Sequence, residues 1–124
     1  MIYKQTYNKY NNKKITRNGI TYDSIKEANR HCELIWLERA GEVSQLQRQV
    51  KYELIPSQYE NILLANGKYK KVCVEKSCGY VADFVYTDKN GNVVVEDVKG
   101  IKTEVYKIKR KLMLYIHNIK INEV

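Results

Sequence analysis

Hydrophobic and polar positions change period several times along this chain. Ile15 and Ile20 flank Asn18-Gly19, the strongest short turn signal, so residues 13–23 (KKITRNGITYD) predict a hairpin. From Ser24 the period becomes helical, with Ile25, Ala28, Cys32, Ile35 and Trp36 recurring at i, i+3, i+7, i+10 and i+11. Ser24 and Glu27 make an S-x-x-E capping box at its start, and Gly41 supplies the stop. The spacing predicts a helix over 24–40 with that stripe as its core face.

Residues 42–54 read as a strand, with Val50, Tyr52 and Leu54 alternating near its end. The stretch 56–77 is the least legible; it holds the single proline, an Asn66-Gly67 turn and a short strand over 69–74. Two firmer strands, 79–86 and 92–99, are joined by TDKNG. A second helix runs from its N-cap Thr103 to Ile116, with Val105, Ile108, Leu112, Tyr115 and Ile116 as its apolar stripe. The end, 118–124, alternates around Lys120 like a last strand, while 1–12 (MIYKQTYNKYNN) reads as a flexible or loosely docked arm. This order of helix, strands, helix and strand gives an α/β fold in a single domain, a central mixed sheet flanked by helices.

The length of 124 residues suits one domain and excludes an α/β barrel. No apolar run is long enough for a membrane helix, so no membrane partner is expected. The polar first residues do not resemble a secretory signal, and three cysteines are an odd count for a disulfide framework, so a cytoplasmic chain is expected. With 22 Lys+Arg against 14 Asp+Glu the net charge is +8, which points to a polyanion, and the spread of basic residues favours nucleic acid over a membrane.

The carboxylates change the picture more than the lysines. YVADFVY and VVVEDVKG are strands apolar enough for the centre of a covered sheet, yet Asp83 lies inside the first and Glu96, Asp97 and Lys99 close the second. An ionised carboxylate there costs several kcal/mol unless a partner or metal neutralises it. A plain Asn90-Gly91 turn would put Asp83 and Asp97 on opposite faces. A three-residue loop, Lys89-Asn90-Gly91, with Gly91 left-handed in a bulge, pairs Asp88 with Asn92 and hence Asp83 with Asp97. That register is the one expected. The pair would hold a hard cation such as Mg²⁺ through oxygens, with Lys99 on the same face to orient water or neutralise charge on a phosphate.

D-x(13)-D-x-K on adjacent strands, behind a helix bearing a glutamate, resembles the PD-(D/E)XK nuclease superfamily. The ordered segments NGITYDSIKEANR, RAGEVSQLQRQVKYEL, YVADFVY, VVVEDVKG and TEVYKIKRKL are similar to small phage and prophage proteins assigned to these nucleases. The resemblance implies a restriction-endonuclease-like αβββαβ core and a Mg²⁺-dependent endodeoxyribonuclease, with Mn²⁺ able to substitute. It implies Glu27, Asp83 and Asp97 as metal ligands and catalytic residues, with Lys99 as the catalytic lysine. Ala82 stands where the motif's name has proline, and Glu96 is expected to face away from the site.

The same resemblance points to Gln49 as a substrate- or water-orienting residue, to branched, Holliday-junction-like DNA in phage recombination or replication, to a homodimer, and to the cytoplasm of a bacterial host. Lys107, Lys109, Arg110 and Lys111 on the second helix, and Lys14 and Arg17 on the hairpin, are candidate phosphate contacts. The alternative is a non-catalytic DNA-binding accessory protein on an inactivated nuclease fold. His31 reads as a packing residue. Cys73 and Cys78 lack the partners of a zinc site.

Overall fold

In the computed structural model, which describes residues 13–124, the N-terminal hairpin forms as its turn residues predict. β1 (Ile15–Arg17) pairs antiparallel with β2 (Ile20–Tyr22) across Asn18 and Gly19, both at positive φ. Such left-handed turns match the twist of the strands they join. The arm expected over 1–12 lies outside the described residues.

α1 (Ile25–Arg39) begins at the N-cap Ser24, whose Oγ accepts the Glu27 N–H at 3.1 Å. β3 (Val43–Ile55) follows, then β4 (Gln58–Leu63) and β5 (Tyr69–Glu75), which pair only with each other. β6 (Cys78–Asp88), β7 (Val93–Asp97), α2 (Glu104–His117) and β8 (Asn122–Glu123) complete the chain. The main sheet has four strands in the order β3-β6-β7-β8, antiparallel except for the parallel pair β7–β8, so it is mixed. Without the two hairpins the order is α1-β3-β6-β7-α2-β8, an αβββαβ core in an α/β fold.

The β6–β7 register is the one the bulge argument requires. Phe84 pairs with Glu96 and Thr87 with Val93, the Asp88 N–H donates to the Asn92 carbonyl at 2.9 Å, and Gly91 is left-handed. Asp83 is therefore opposite Asp97. The part of β7 paired with β6 is shorter than 92–99: it ends at Phe84↔Glu96, Asp97 pairs on the other side with β8, and the Val98 N–H donates to Asp83 Oδ2 at 2.9 Å.

Both predicted helix stripes need correction. On α1, Ile25, Cys32 and Trp36 are exposed, while Glu27, Ala28, His31 and Leu34 are buried. On α2, Val105, Ile108, Tyr115 and Ile116 are exposed; Tyr106 and Met113 are buried, and Leu112 packs beside them. Each helix carries apolar residues on more than one arc, and the sheet selects between them. In α2 the selected arc is one residue, about 100°, from the predicted one. It brings in Tyr106, whose ring fills the core while its hydroxyl reaches Glu123 Oε2 at 3.0 Å.

The core has two parts. Leu54, Tyr80, Ala82, Val95, Tyr106, Met113 and Ile121 cluster on the α2 side, and Leu34, Phe84 and Tyr86 on the α1 side. Ala82 and Phe84 are two apart on one strand and should share a face, yet they join different clusters. The phase therefore changes at Asp83. Opposite Asp83 in the register, between Arg48↔Phe84 and Val50↔Ala82, stands Gln49 with φ 52°, a left-handed residue inside a strand. Such backbone is costly for a side chain with a Cβ, by roughly 1–2 kcal/mol.

Candidate metal centre and nucleic-acid cleft

The change of phase aims Asp83 out of the ladder toward the start of α1. Glu27 approaches from that helix: its Oε2 accepts the Asp23 N–H at 3.0 Å and its Oε1 the Gln49 amide at 3.2 Å. The same amide Nε2 lies 3.4 Å from Asp83 Oδ1. Ser24 caps the helix, and Glu27 returns the contact to Asp23 rather than to Ser24, so one residue both starts the helix and lines the site. Arg48 Nη2 stands 3.8 Å from Glu27 Oε1, with its guanidinium 4.7 Å above the Tyr22 ring.

Asp97 is 2% exposed. Tyr80 Oη donates to its Oδ2 at 2.5 Å, and Lys99 Nζ lies 3.4 Å from its Oδ1 and 4.4 Å above the Tyr106 ring. β8 fixes the backbone around this lysine: Val124 donates to the Asp97 carbonyl at 3.0 Å and accepts from the Lys99 N–H at 3.2 Å. Burial, then the neighbouring Asp83, pushes the Asp97 carboxyl up to about 7 despite Tyr80 and Lys99. Burial and Asp83 also raise Glu27. Both shifts mark negative charge that the described residues leave short of compensation.

A cleft of about 270 Å³ opens in front of Glu27, Asp83 and Lys99, lined also by Lys26, Thr103 and Tyr106; the buried Asp97 is not part of its lining. The first turns of α1 and α2 both border it, and helix N-termini favour anions such as phosphates. Negative ligands at its base and positive ends at its rim suit a metal-bridged phosphate.

The donor set fits a hard divalent cation, because Glu27, Asp83 and Asp97 offer carboxylate oxygens and Lys99 and Arg48 only partly offset the burial and repulsion that raise Asp97 and Glu27. They do not converge as a finished cage: among the described residues no three His, Cys, Asp or Glu side chains form a ready ligand group. Instead Asp83 and Asp97 are adjacent, and Glu27 joins them through the Gln49 amide. Glu96 faces away, as expected, and is held by Arg30 Nε at 2.5 Å, Arg30 Nη2 at 3.0 Å and Tyr86 Oη at 2.5 Å.

The basic candidates are more scattered. Lys107 pairs with Glu104 at 3.1 Å, and Arg110 pairs with Glu123 at 3.1 Å. Lys111 and Arg110 line a separate pocket with Lys120, away from the carboxylates, and Lys109 is half-buried on the same helix. Lys14 lies 4.0 Å from Asp23 at the cleft's edge, and Arg17 donates to Asn29 at 2.9 Å. Of the basic candidates only Lys99 lines the cleft itself. Sequence reasoning missed Tyr80, Arg48, Lys26 and Tyr106. A tyrosine three residues before Asp83 carries no signal until the phase change turns it toward Asp97. His31, behind Glu27, shares a 2.6 Å hydrogen bond with the Tyr22 hydroxyl and stacks on Phe84, so it packs as expected.

No helix among the described residues is long and apolar enough to cross a membrane. No curated protein and no solved structure matches the chain. A family profile does match, over residues 7–123, and by that match the chain belongs to the family described as protein of unknown function (DUF1064).

Proposed function

We propose that the chain is a metal-dependent endodeoxyribonuclease of the PD-(D/E)XK kind. The observation that carries the reading is the β6–β7 register, whose last pair Phe84↔Glu96 sets Asp83 beside Asp97 one residue further on, with Lys99 next to Asp97. The αβββαβ order around a four-stranded mixed sheet agrees with it. Asp83 and Asp97, with Glu27, would hold Mg²⁺ or Mn²⁺, which when bound supplies an activated water and stabilises charge on the phosphate.

The chain's own residues set the geometry. Tyr80 fixes one oxygen of Asp97 and leaves the other toward Lys99. The Lys99 ammonium, held over the Tyr106 face, is placed to orient the attacking water or to neutralise charge on the phosphoryl oxygens. Gln49 spaces Glu27 from Asp83, and the two helix N-termini receive the phosphate at the rim. The substrate class proposed is branched, Holliday-junction-like DNA in the recombination or replication of a phage, acting in a bacterial cytoplasm. Cutting a symmetric junction twice calls for a homodimer. The exposed arc of α2, with Val105, Ile108 and Tyr115, is apolar surface for such a dimer to cover.

One assay tests the reading. Plasmid, linear duplex and four-way-junction DNA are incubated with Mg²⁺, Mn²⁺ or EDTA, using the wild type and Asp97→Asn. Cleavage that needs the cation and disappears in Asp97→Asn is expected. Binding without metal-dependent cleavage on every substrate rejects the enzyme and leaves an accessory DNA-binding protein.

A further inference from the structure

β4 and β5 stand apart from everything else in the fold. Every residue of β4 is exposed, and in β5 only Val72 is partly covered. A lone two-stranded hairpin is marginal in water, so a ribbon without a core beneath it gains nothing for the domain's stability. Its chemistry is sorted along its length. Of the ribbon's two carboxylates Glu75 is at the base and Glu60 midway along β4, whereas the distal part, 61–71, carries Lys68, Lys70 and Lys71 and no acid.

The end is apolar as well as basic. Leu63 is 65% and Tyr69 71% exposed, and these two close the ladder opposite each other, with Leu64 beside them. Lys70 and Lys71 are successive strand residues and so stand on opposite faces; Lys71 Nζ lies 4.4 Å over the Tyr59 ring. A surface built to meet another protein would gather its apolar groups on one face. Cations on both faces around an apolar end suit a groove walled by phosphates. A β-ribbon fits the ~12 Å major groove, and apolar side chains wedge between base steps in the minor groove.

We propose that the β4–β5 ribbon is a duplex-DNA-binding arm, with Lys68, Lys70 and Lys71 on the phosphates and Leu63, Leu64 and Tyr69 against the bases. This rests on the nucleic-acid reading above and needs no cleavage. From Asp83 to Cys78 and then along β4 the chain spans up to ~35–40 Å at ~3.4 Å per residue. That upper bound is about one turn of B-DNA, so the arm would meet the duplex within about a turn of the carboxylates.

The test is duplex binding by the full chain in EDTA, followed by fluorescence anisotropy over a salt series. Lys68→Ala/Lys70→Ala/Lys71→Ala is expected to lower the salt slope by about 2–3 and to weaken binding on the order of 10²-fold at ~0.1 M salt. The triple Lys→Arg variant keeps the wild-type slope. Leu63→Ser/Leu64→Ser weakens binding several-fold with the slope unchanged. Thermal melts matching wild type exclude a folding defect; if the alanine variant melts early, the arginine and serine variants carry the comparison.

Wild-type affinity and slope in the alanine variant overturn the arm, as does a wild type that binds no duplex. A wild-type dimer that the leucine variant splits, with DNA binding unchanged, overturns it too and makes the ribbon a contact between copies. Cleavage is scored separately. Lost binding in the alanine variant beside a wild type that never cuts keeps the arm and removes the nuclease, and unchanged binding beside metal-dependent cutting does the reverse.

Discussion

Glu96 and Asp97 are consecutive residues of β7, 0% and 2% exposed, and they live in opposite electrostatic conditions. Glu96 points toward α1, where both its oxygens are taken by the Arg30 guanidinium and the Tyr86 hydroxyl. Asp97 points toward α2, where it has one tyrosine, a lysine at 3.4 Å and a second carboxylate beside it. Burial alone therefore says little about what a carboxylate is for. A structural carboxylate is matched by its partners, as Glu96 is; one left short of positive charge, as Asp97 is, stays available to an added cation.

The contrast is sharpest in cleavage. Asp97→Asn keeps the shape and removes the charge, and a loss of about 10³-fold or more in metal-dependent cutting is expected. Glu96→Gln, in protein that remains folded, retains most of its rate. Equal losses in single-turnover cutting by the two folded variants would erase the distinction drawn between them.

Stability against pH comes next. The folded Asp97 carboxyl is raised to about 7 from an ordinary value of 3.8, so between about pH 4 and 7 the native state holds a proton the unfolded chain has released. Native-state proton excess makes stability fall as pH rises through that window. For the metal-free protein the fall is on the order of 4 kcal/mol. Asp97→Asn removes most of it, leaving a residue from Glu27, and is more stable than wild type at pH 8. Denaturant melts at a series of pH values measure this; parallel slopes in the two proteins would count against an undercompensated Asp97.

Glu96 behaves in the other sense. Replacing it by Gln leaves the Arg30 guanidinium without its carboxylate, and stability is expected to drop by about 2–3 kcal/mol at neutral pH. The figure is reduced because the Arg30 side chain is 24% exposed. Arg30→Met with Glu96→Gln should recover part of the loss, since the pair is then removed together. No recovery in the double variant would mean that the two residues stabilise independently.

Much of this arrangement was legible in the sequence where local chemistry decides it. Asn18-Gly19 can close only a tight turn, Ser24 and Glu27 mark a helix start, and Gly91 permits the bulge that brings Asp83 opposite Asp97. The helix faces were not legible. Periodicity finds an apolar arc, but α1 buries Glu27 and His31 instead of Ile25 and Trp36, because the sheet side of that helix is occupied by the site. Within residues 56–77 the Asn66-Gly67 turn and the strand over 69–74, now β5, were read correctly, but β4 was not, for a different reason. A ribbon with no core beneath it needs no alternation of inside and outside, so β4 left no pattern to find. The change of phase at Asp83 depends on the left-handed Gln49, and a glutamine does not announce that conformation.

The smallest effects separate the two tyrosines that serve the two carboxylates. Tyr80 donates to Asp97 and helps to keep it ionised, opposing burial and Asp83. Tyr80→Phe removes that donor, so the Asp97 carboxyl rises further and the acid limb of the cleavage–pH profile moves to higher pH. Tyr86→Phe removes a donor from Glu96, which Arg30 still holds, and costs about 1 kcal/mol of stability without moving the limb. The two variants lose the same hydroxyl from nearly the same depth. A shift in the profile for Tyr80→Phe alone assigns the proton-sensitive carboxylate to the α2 face of β7; equal shifts would place its control in the shared burial of both.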